Sequence, residues 1–286
     1  MNKLLVYLLF FTCLATNKYT YSQQNALLYS VKHPKSKKTS YLLGTMHVMS
    51  QEKFFFPSKI EEVISNCKML CLEVENISNQ AIDPASLFDS NKSLKDFCSV
   101  AQWDSILVWA EKDLMMTNEN FESNFKYAKP FVLVQLMIQN TLPVIQMSHE
   151  KELEKLADKT NMKKIGLETI DEQLNIFNNI EYPLQIEMIM SQLRDLSQSE
   201  TDFKTMEDIY NSQNLDSLCA FSEKDITPII REELLVKRNL KWISNMQDFM
   251  KKQSVFFAVG AAHLCGPDGL IELLSKEGYV IEGINL

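Results

Sequence analysis

Two apolar segments of this chain end in the same way, each closing on a glycine that is followed three residues later by a histidine. LLGTMH ends at His47, and FAVGAAH ends at His263. A short continuous apolar run is typical of a strand covered on both faces, and glycine allows a sharp turn where the strand ends. Because ligands of open α/β sheets bind outside the carboxyl ends of the strands, the pattern predicts that both imidazoles reach one crevice.

The strand and helix signals predict an α/β fold. We expect a central mixed sheet built from two βαβ-like halves and flanked by helices, with a mostly helical middle segment over residues 84–253. The expected strands are 26–31, 39–43, 69–74, 163–167, 255–259 and 279–284. The expected helices begin at Pro57 and at 269 in the two halves, and in the middle segment they cover 104–112, 130–139, 150–159, 183–196, 202–213 and 226–249.

The amino terminus has the pattern of a secretory signal. Lys3 precedes an apolar run over residues 4–15, which is shorter than the roughly 20 residues that a membrane span needs. We therefore expect a signal peptide over residues 1–22 and a domain over 23–286. The predicted location is secreted or periplasmic, with no stable membrane span after signal removal.

Charge and cysteine content limit the alternatives further. The net charge of −8 disfavours binding to nucleic acid, because phosphate backbones repel an acidic surface. Removal of the signal would leave five of the six cysteines, with no C-x-x-C pair among them. We expect these cysteines to be mostly small buried side chains, with one disulfide possible and its pairing open.

Carboxylates near the end of the third strand are candidates for the same site as the histidines. Glu73 and Glu75 should point to one side of the strand, because side chains alternate along it. A charged group in an apolar strand is costly unless it is paired or binds a metal. We expect Glu73, the deeper residue, to be a metal ligand or general base. Arg238 could hold a carboxylate or stabilise an oxyanion, or form an ion pair with Glu168 or Glu73.

Several motifs together resemble the TraB/GumN family. They are YLLGTMHV ending at 48, LEVE ending at 75, GLET beginning at 166, Arg238-Asn239 with Trp242, FAVGAAHL ending at 264, and Gly278-Tyr279. The family includes the Tiki metalloproteases and is distantly similar to erythromycin esterase and to the haem-binding ChaN proteins. The motifs occur in order from about residue 26 to the end of the chain.

The resemblance implies a divalent metal held by His47, His263 and a glutamate, for which we choose Glu73. It implies peptidase activity with Mn²⁺ or Co²⁺, as in the Tiki members, with Zn²⁺ also possible. Glu73, Glu75 and Arg238 are then the catalytic candidates. Glu168 and Asn239 would lie beside the metal ligands without binding the metal themselves. Glu168 could instead cap the next helix.

Other functions stay open at this point. The chain has no G-x-S-x-G, no H-E-x-x-H, no phosphate-binding loop and no dinucleotide fingerprint, which argues against serine hydrolases, classical zinc proteases and nucleotide enzymes. A haem- or ligand-binding protein of the ChaN type and a catalytically silent regulatory protein are the alternatives. The substrate would be a peptide or a small molecule, and the oligomeric state is open. His33 and His149 match no motif, so we expect them at the surface.

Overall fold

The computed structural model describes residues 25–75, 82–89, 91–194, 196–224 and 226–286. The expected signal peptide, residues 1–22, lies outside these ranges. The strands are β1 (Leu28–Lys32), β2 (Ser40–Thr45), β3 (Met49–Ser50), β4 (Met69–Val74), β5 (Gln146–Met147), β6 (Lys163–Glu168), β7 (Val255–Gly260) and β8 (Val280–Ile284).

Helices account for most of the remaining described chain. The α-helices are α1 (Ser58–Ile64), α2 (Pro84–Leu87), α3 (Val100–Asp113), α4 (Asn118–Phe125), α5 (Pro130–Thr141), α6 (His149–Lys159), α7 (Ile170–Asn175), α8 (Tyr182–Arg194), α9 (Leu196–Asn211), α10 (Leu215–Glu223), α11 (Pro228–Arg231), α12 (Lys237–Lys252) and α13 (Leu270–Lys276). A π-helical turn, Glu232–Val236, joins α11 to α12. Short 3₁₀ helices cover Leu94–Phe97, Ile176–Asn179 and Ala261–Leu264.

Six strands form one mixed sheet, which confirms the predicted fold class. Their order is β6-β4-β7-β2-β1-β8, and β3 pairs with β5 in a separate two-stranded sheet. The four strands from β6 to β2 are parallel to one another. Strand β1 is antiparallel to both of its neighbours, and it forms a hairpin with β2.

The two βαβ-like halves are interleaved rather than set side by side. Strands β2 and β4 of the first half do not pair, because β7 of the second half lies between them and is parallel to both. All six residues of β7 are buried, as a central position requires, since helices cover both faces of a parallel sheet. This interleaving brings the carboxyl ends of the two halves to the same edge of the sheet.

Within the described ranges, three apolar clusters stabilise the fold. One covers one face of the sheet and includes Trp242 and Met246 of α12, while another covers the opposite face with Ile60 of α1 and Leu153 of α6. Leu42 and Leu43 belong to opposite clusters, as the alternation along a strand requires. The third cluster lies among α3, α4, α5 and α8 and forms the core of the helical middle segment.

Helix ends in the described chain carry ordinary capping residues. Ser99 and Gln102 form a capping box at α3, and Thr169 and Glu172 form another at α7. Such reciprocal bonds satisfy backbone N–H groups that the first turn leaves unpaired. No helix in the described ranges is long and apolar enough to cross a membrane.

The expectation that His149 lies at the surface is wrong. Its relative exposure is 1%, and its ring nitrogens each lie 3.1 Å from a backbone oxygen, of Met46 for Nδ1 and of Phe55 for Nε2. The first residue of α6 is thus docked against the loop that follows β2, a long-range contact that no local pattern encodes. His33 is half-buried and packs edge-on against Tyr279, with ring centroids 5.2 Å apart.

Candidate functional site

The carboxyl ends of four adjacent parallel strands meet at one edge of the sheet. Thr45 of β2 is in register with Gly260 of β7, and Val74 of β4 is in register with Glu168 of β6. The polar residues at the ends of these strands therefore lie close together at this edge of the sheet. This arrangement brings together the side chains that the sequence separates by as many as 216 positions.

Glu73 lies at the centre of this edge. Its Oε1 accepts a hydrogen bond from the backbone N–H of Gly260 at 2.7 Å, and its side chain is 9% exposed. The Nε2 atoms of His47 and His263 lie 3.6 and 3.7 Å from the same oxygen. Burial would raise the pKa of Glu73, but the two imidazoles, Arg238 and the N–H of Gly260 outweigh it and lower the pKa to about 2.

The carboxylate of Glu150 orients the His47 ring by a hydrogen bond with its outer nitrogen. The Nδ1 of His47 lies 2.8 Å from Oε1 of Glu150, so the Nδ1–H is donated to that oxygen and Nε2 faces Glu73. The same Glu150 oxygen accepts a bond from the hydroxyl of Thr45 at 2.5 Å, and Ser148 donates to the other oxygen at 2.8 Å. Desolvation would lower the pKa of His47, but the hydrogen bond and charge of Glu150 together with the charge of Glu73 outweigh it and raise the pKa to about 9.

An amide orients His263 in a similar way. Asn239 donates through Nδ2 to the backbone oxygens of His263 and Asp268, at 3.1 and 2.8 Å, which fixes the orientation of its amide. Its Oδ1 must therefore accept from Nδ1–H of His263, at 2.7 Å, leaving the lone pair of Nε2 directed at the site. Burial lowers the pKa of His263 to about 3, so the ring is neutral.

Arg238 connects the two buried glutamates. Its Nη2 donates to Glu73 at 2.5 Å and to Glu168 at 2.7 Å, and Nε donates to Glu168 at 3.1 Å. Its Nη1 donates to the backbone oxygen of Leu234 and to Nε2 of His263, both at 3.0 Å. All five donors of the guanidinium are therefore used within the described part of the chain.

Gly260 is required by the close approach of its neighbours. A Cβ at this position would lie 3.0 Å from Nε2 of His47 and 3.3 Å from Oε1 of Glu73. Any other residue would press its Cβ against both the imidazole and the carboxylate. The glycine of the second motif thus keeps open the space in which the donors of the site converge.

The donor chemistry fits a divalent cation, although the donors do not yet form a closed coordination shell. Two imidazole nitrogens and a carboxylate oxygen converge, and the outer nitrogen of each ring is hydrogen-bonded, as is usual for metal-ligating histidines. No group of three or more His, Cys, Asp or Glu in the described ranges meets the geometry of a metal site as it stands. Ligand bonds of about 2 Å require donor separations slightly shorter than 3.6–3.7 Å, and Arg238 must release Nε2 of His263.

The structure places the other expected residues as follows. Glu75 is half-buried just beyond the end of β4, where its charge acts on Glu154 and Lys164. The suggestion that Glu168 caps α7 is wrong, because Thr169 and Glu172 cap that helix. Glu168 forms the ion pair with Arg238 instead, which was the other possibility for that arginine.

Three polar contacts of the site were not singled out from the sequence. They involve Glu150, Gln173, which lies 3.4 and 3.3 Å from oxygens of Glu73 and Glu168, and the indole N–H of Trp242, which donates to Glu168 at 3.2 Å. In the sequence, Trp242 stands out only as part of a family motif, which does not predict its hydrogen bond to Glu168. Glu150 stands in the first turn of a helix, where acidic residues are common, so its type and position gave no reason to connect it with His47.

A disulfide lies beside the second histidine motif. It joins Cys219 of α10 to Cys265, two residues after His263, with the Cα atoms 5.5 Å apart. Cys67 and Cys71 are free and buried, in agreement with the expectation for most of the cysteines. The bond ties the loop that carries His263 to a helix 46 residues earlier.

Fold and site together define an α/β protein with a histidine–glutamate–arginine centre at the carboxyl edge of a mixed sheet. The chain belongs to the TraB/PrgY/gumN family, whose model matches residues 27–283. The family membership inferred from the sequence motifs is thereby confirmed.

One curated relative is named as an enzyme. The chain is 23% identical over 326 residues to Metalloprotease TIKI2 of Danio rerio, in an alignment that covers 90% of this chain and 61% of that protein. The chain thus spans about three fifths of the length of that relative. No solved structure gives a significant match.

Proposed function

We propose that this chain is a divalent-metal-dependent hydrolase that cleaves peptide bonds. The observation that carries the proposal is the convergence of His47 and His263 on one oxygen of Glu73, within 3.6 and 3.7 Å. Membership of the family and the name of the metalloprotease relative support the choice of hydrolysis and of a peptide substrate.

His47 Nε2, His263 Nε2 and Glu73 Oε1 would hold the metal. A bound divalent cation would supply a Lewis acid that polarises a carbonyl group and acidifies water. Mn²⁺ and Co²⁺ are our first choices and Zn²⁺ is a further one. Two nitrogen donors and one oxygen donor without sulfur suit all three ions.

Glu73 acts in this proposal as a ligand rather than as the proton acceptor. A carboxylate whose pKa is lowered to about 2 keeps its charge but is a weak base near neutral pH. Glu150 and Asn239 hold the outer nitrogens of the two rings, so each ring presents Nε2 inward. Loss of Glu73 should therefore cost more than loss of Glu75.

Arg238 acts as a positioning residue. Because all five of its donors are used, it could stabilise an oxyanion only after giving up a bond to Glu73, Glu168 or His263. Its role in the proposal is to neutralise the two buried carboxylates and to fix the direction of Glu73. Trp242 supports it, with the guanidinium carbon 4.6 Å from the ring centroid.

The test combines metal content with turnover. Purified protein is analysed for bound metal and then incubated with a mixed peptide library with and without Mn²⁺. Glu73→Gln preserves shape and removes charge, so it should weaken metal binding and abolish cleavage in a chain that still folds. Glu75→Gln is the matched control and should be the milder change.

Three results would overturn these assignments. Cleavage by Glu73→Gln at the parental rate would remove Glu73 from the site. A larger loss from Glu75→Gln would exchange the roles of the two glutamates. Cleavage that is unaffected by a chelator would remove the metal from the proposal.

We propose further that the protein works outside the cytoplasm, secreted or periplasmic. The Cys219–Cys265 disulfide supports this location, because such bonds persist mainly in oxidising compartments. N-terminal sequencing of the native protein tests the expected loss of residues 1–22. A sequence that starts at Met1 would contradict it.

A haem- or ligand-binding function is the second candidate. The observation that favours it is an apolar cavity of about 610 Å³ that reaches both histidines, which lies in the usual size range of ligand pockets. A Soret band in the absorption spectrum of the purified protein, without peptide cleavage, would support this candidate over the hydrolase.

A further inference from the structure

Two cavities of different chemistry meet at His47. The first, here called the apolar cleft, has a volume of about 610 Å³, and its walls include Phe221, Leu234 and Leu235 together with His263. The second, here called the acidic pocket, has a volume of about 370 Å³ and is lined by glutamates. These are Glu73, Glu150 and Glu154. The His47 side chain lines both cavities, so a molecule at the site can extend into each of them.

The walls of the apolar cleft include apolar side chains that the fold leaves only partly buried. Leu142, Phe221, Leu234 and Leu235 are half-buried and belong to none of the three apolar clusters formed by the described residues. Ile138, which also lines the cleft, is 37% exposed. Covering such side chains with an apolar group removes their surface from water, which is favourable.

The acidic pocket contains one carboxylate that the fold does not use. Glu73 is paired with Arg238 and Glu150 with His47. Glu154 is half-buried and makes no hydrogen bond or ion pair with any residue in the described ranges. Burial raises its pKa, and the positive charge of Lys164 offsets that effect only in part. Lys151 also lines the pocket, but its side chain is exposed.

We infer, on the basis of the proposed hydrolytic function, that the substrate lies across His47 with a bulky apolar side chain in the apolar cleft and a cationic group in the acidic pocket. A lysine or arginine side chain or a free amino terminus would supply the cation. Glu154 is then the specificity residue for charge, and Leu235 is a specificity residue for size and polarity. Neither residue belongs to the metal centre itself.

The size of each preference follows from the kind of contact. Shortening the apolar side chain of a peptide from Leu to Ala should lower its cleavage efficiency by about tenfold or more, as the loss of methylene groups from an apolar pocket usually does. Replacing Lys by Gln on the other side should cost about threefold, because a single partly exposed ion pair contributes little.

The experiment begins with cleavage mapping and ends with matched peptides. A peptide library is digested with the Mn²⁺-loaded protein, and the cleaved bonds are located by mass spectrometry. The best-cleaved peptide, or the best-bound peptide if no bond is cleaved, is then made in four forms, with Leu or Ala on the apolar side and Lys or Gln on the cationic side. Binding of the same four peptides, fluorescently labelled, to the metal-free protein is measured by anisotropy.

Two variants assign the preferences to residues. Glu154→Lys should reverse the charge preference, so that the peptide with Gln is favoured over the one with Lys. Leu235→Asp should reduce the preference for Leu over Ala while leaving the charge preference intact. Glu152→Lys is the control for Glu154→Lys, because it changes the charge of the same helix by the same amount but does not line the pocket. Thermal unfolding checks that each variant is folded.

The outcomes separate this inference from the proposed function. Cleavage with no preference at either position would overturn the inference and leave the hydrolase standing. Selective binding without cleavage under any metal would support the inference and overturn hydrolysis. An unchanged charge preference in folded Glu154→Lys would remove Glu154 as the recognition residue.

Discussion

Replacing Arg238 by glutamine removes the cation that neutralises two buried carboxylates in the metal-free protein. The guanidinium lies between Glu73 and Glu168, whose side chains are 9% and 2% exposed. Removing one partner of a buried ion pair costs about 3–5 kcal/mol, since a buried charge is left uncompensated. We expect the free energy of unfolding to fall by that amount. Each kcal/mol should lower Tm by about 2–4 °C, as in domains of about 150–250 residues.

Arg231→Gln is the matched control. Arg231 also contacts two carboxylates, of Glu223 at 3.1 Å and Asp268 at 3.3 Å, but those side chains are 40% and 42% exposed. Exposed pairs contribute about 0–1 kcal/mol, so the control should lose little stability. The same chemical change is thereby compared at a buried and at an exposed position.

Urea unfolding of the metal-free parent and of both variants, followed by circular dichroism, measures these differences. Added Mn²⁺ should narrow the gap between Arg238→Gln and the parent, because binding to the folded state stabilises it and brings positive charge beside Glu73. The reasoning is refuted if Arg238→Gln loses no more stability than Arg231→Gln, or if Mn²⁺ stabilises the parent alone.

Three further predictions concern the neighbourhood of the site. Gly260→Ala should reduce metal affinity, measured by titration calorimetry, because its Cβ would stand 3.0 Å from an imidazole nitrogen; an unchanged affinity would contradict the close approach. Burial would raise the pKa of Glu150, but its hydrogen bonds and the neighbouring imidazole lower it from 4.5 to about 2. Its stabilising contribution is then present above about pH 4.5 and is lost as pH falls through about 2. The stability difference between the parent and Glu150→Gln should therefore be largest near pH 5 and shrink as pH falls towards 2; a difference at pH 2 equal to that at pH 5 would count against the assignment. Replacing both Cys219 and Cys265 by serine should lower the free energy of unfolding by about 4 kcal/mol, the loop-closure value for a separation of 46 residues, and equal urea midpoints would rule this out.

The sequence by itself determined the local elements and the residues of the centre. The sequence predicted the six strands of the main sheet to within two residues at every end. Strands β4 and β7 were the clearest, because a strand that is covered on both faces must be apolar along its length. The glycines at the ends of β2 and β7 and the histidines after them could also be recognised from the sequence, since their place at the strand ends depends only on neighbouring residues. Glu73 was marked by its position, as a charge in an otherwise apolar strand.

The tertiary structure decided which of these elements are neighbours. Strand β7 enters between β2 and β4, and this order makes Glu73, His47 and His263 converge. The partner of His47, Glu150, is 103 positions away, and the partners of Arg238 are 165 and 70 positions away. Periodicity encodes whether a segment is helix or strand and which face is buried. It does not encode which distant segment packs beside it, because that choice is made by the packing of the whole chain.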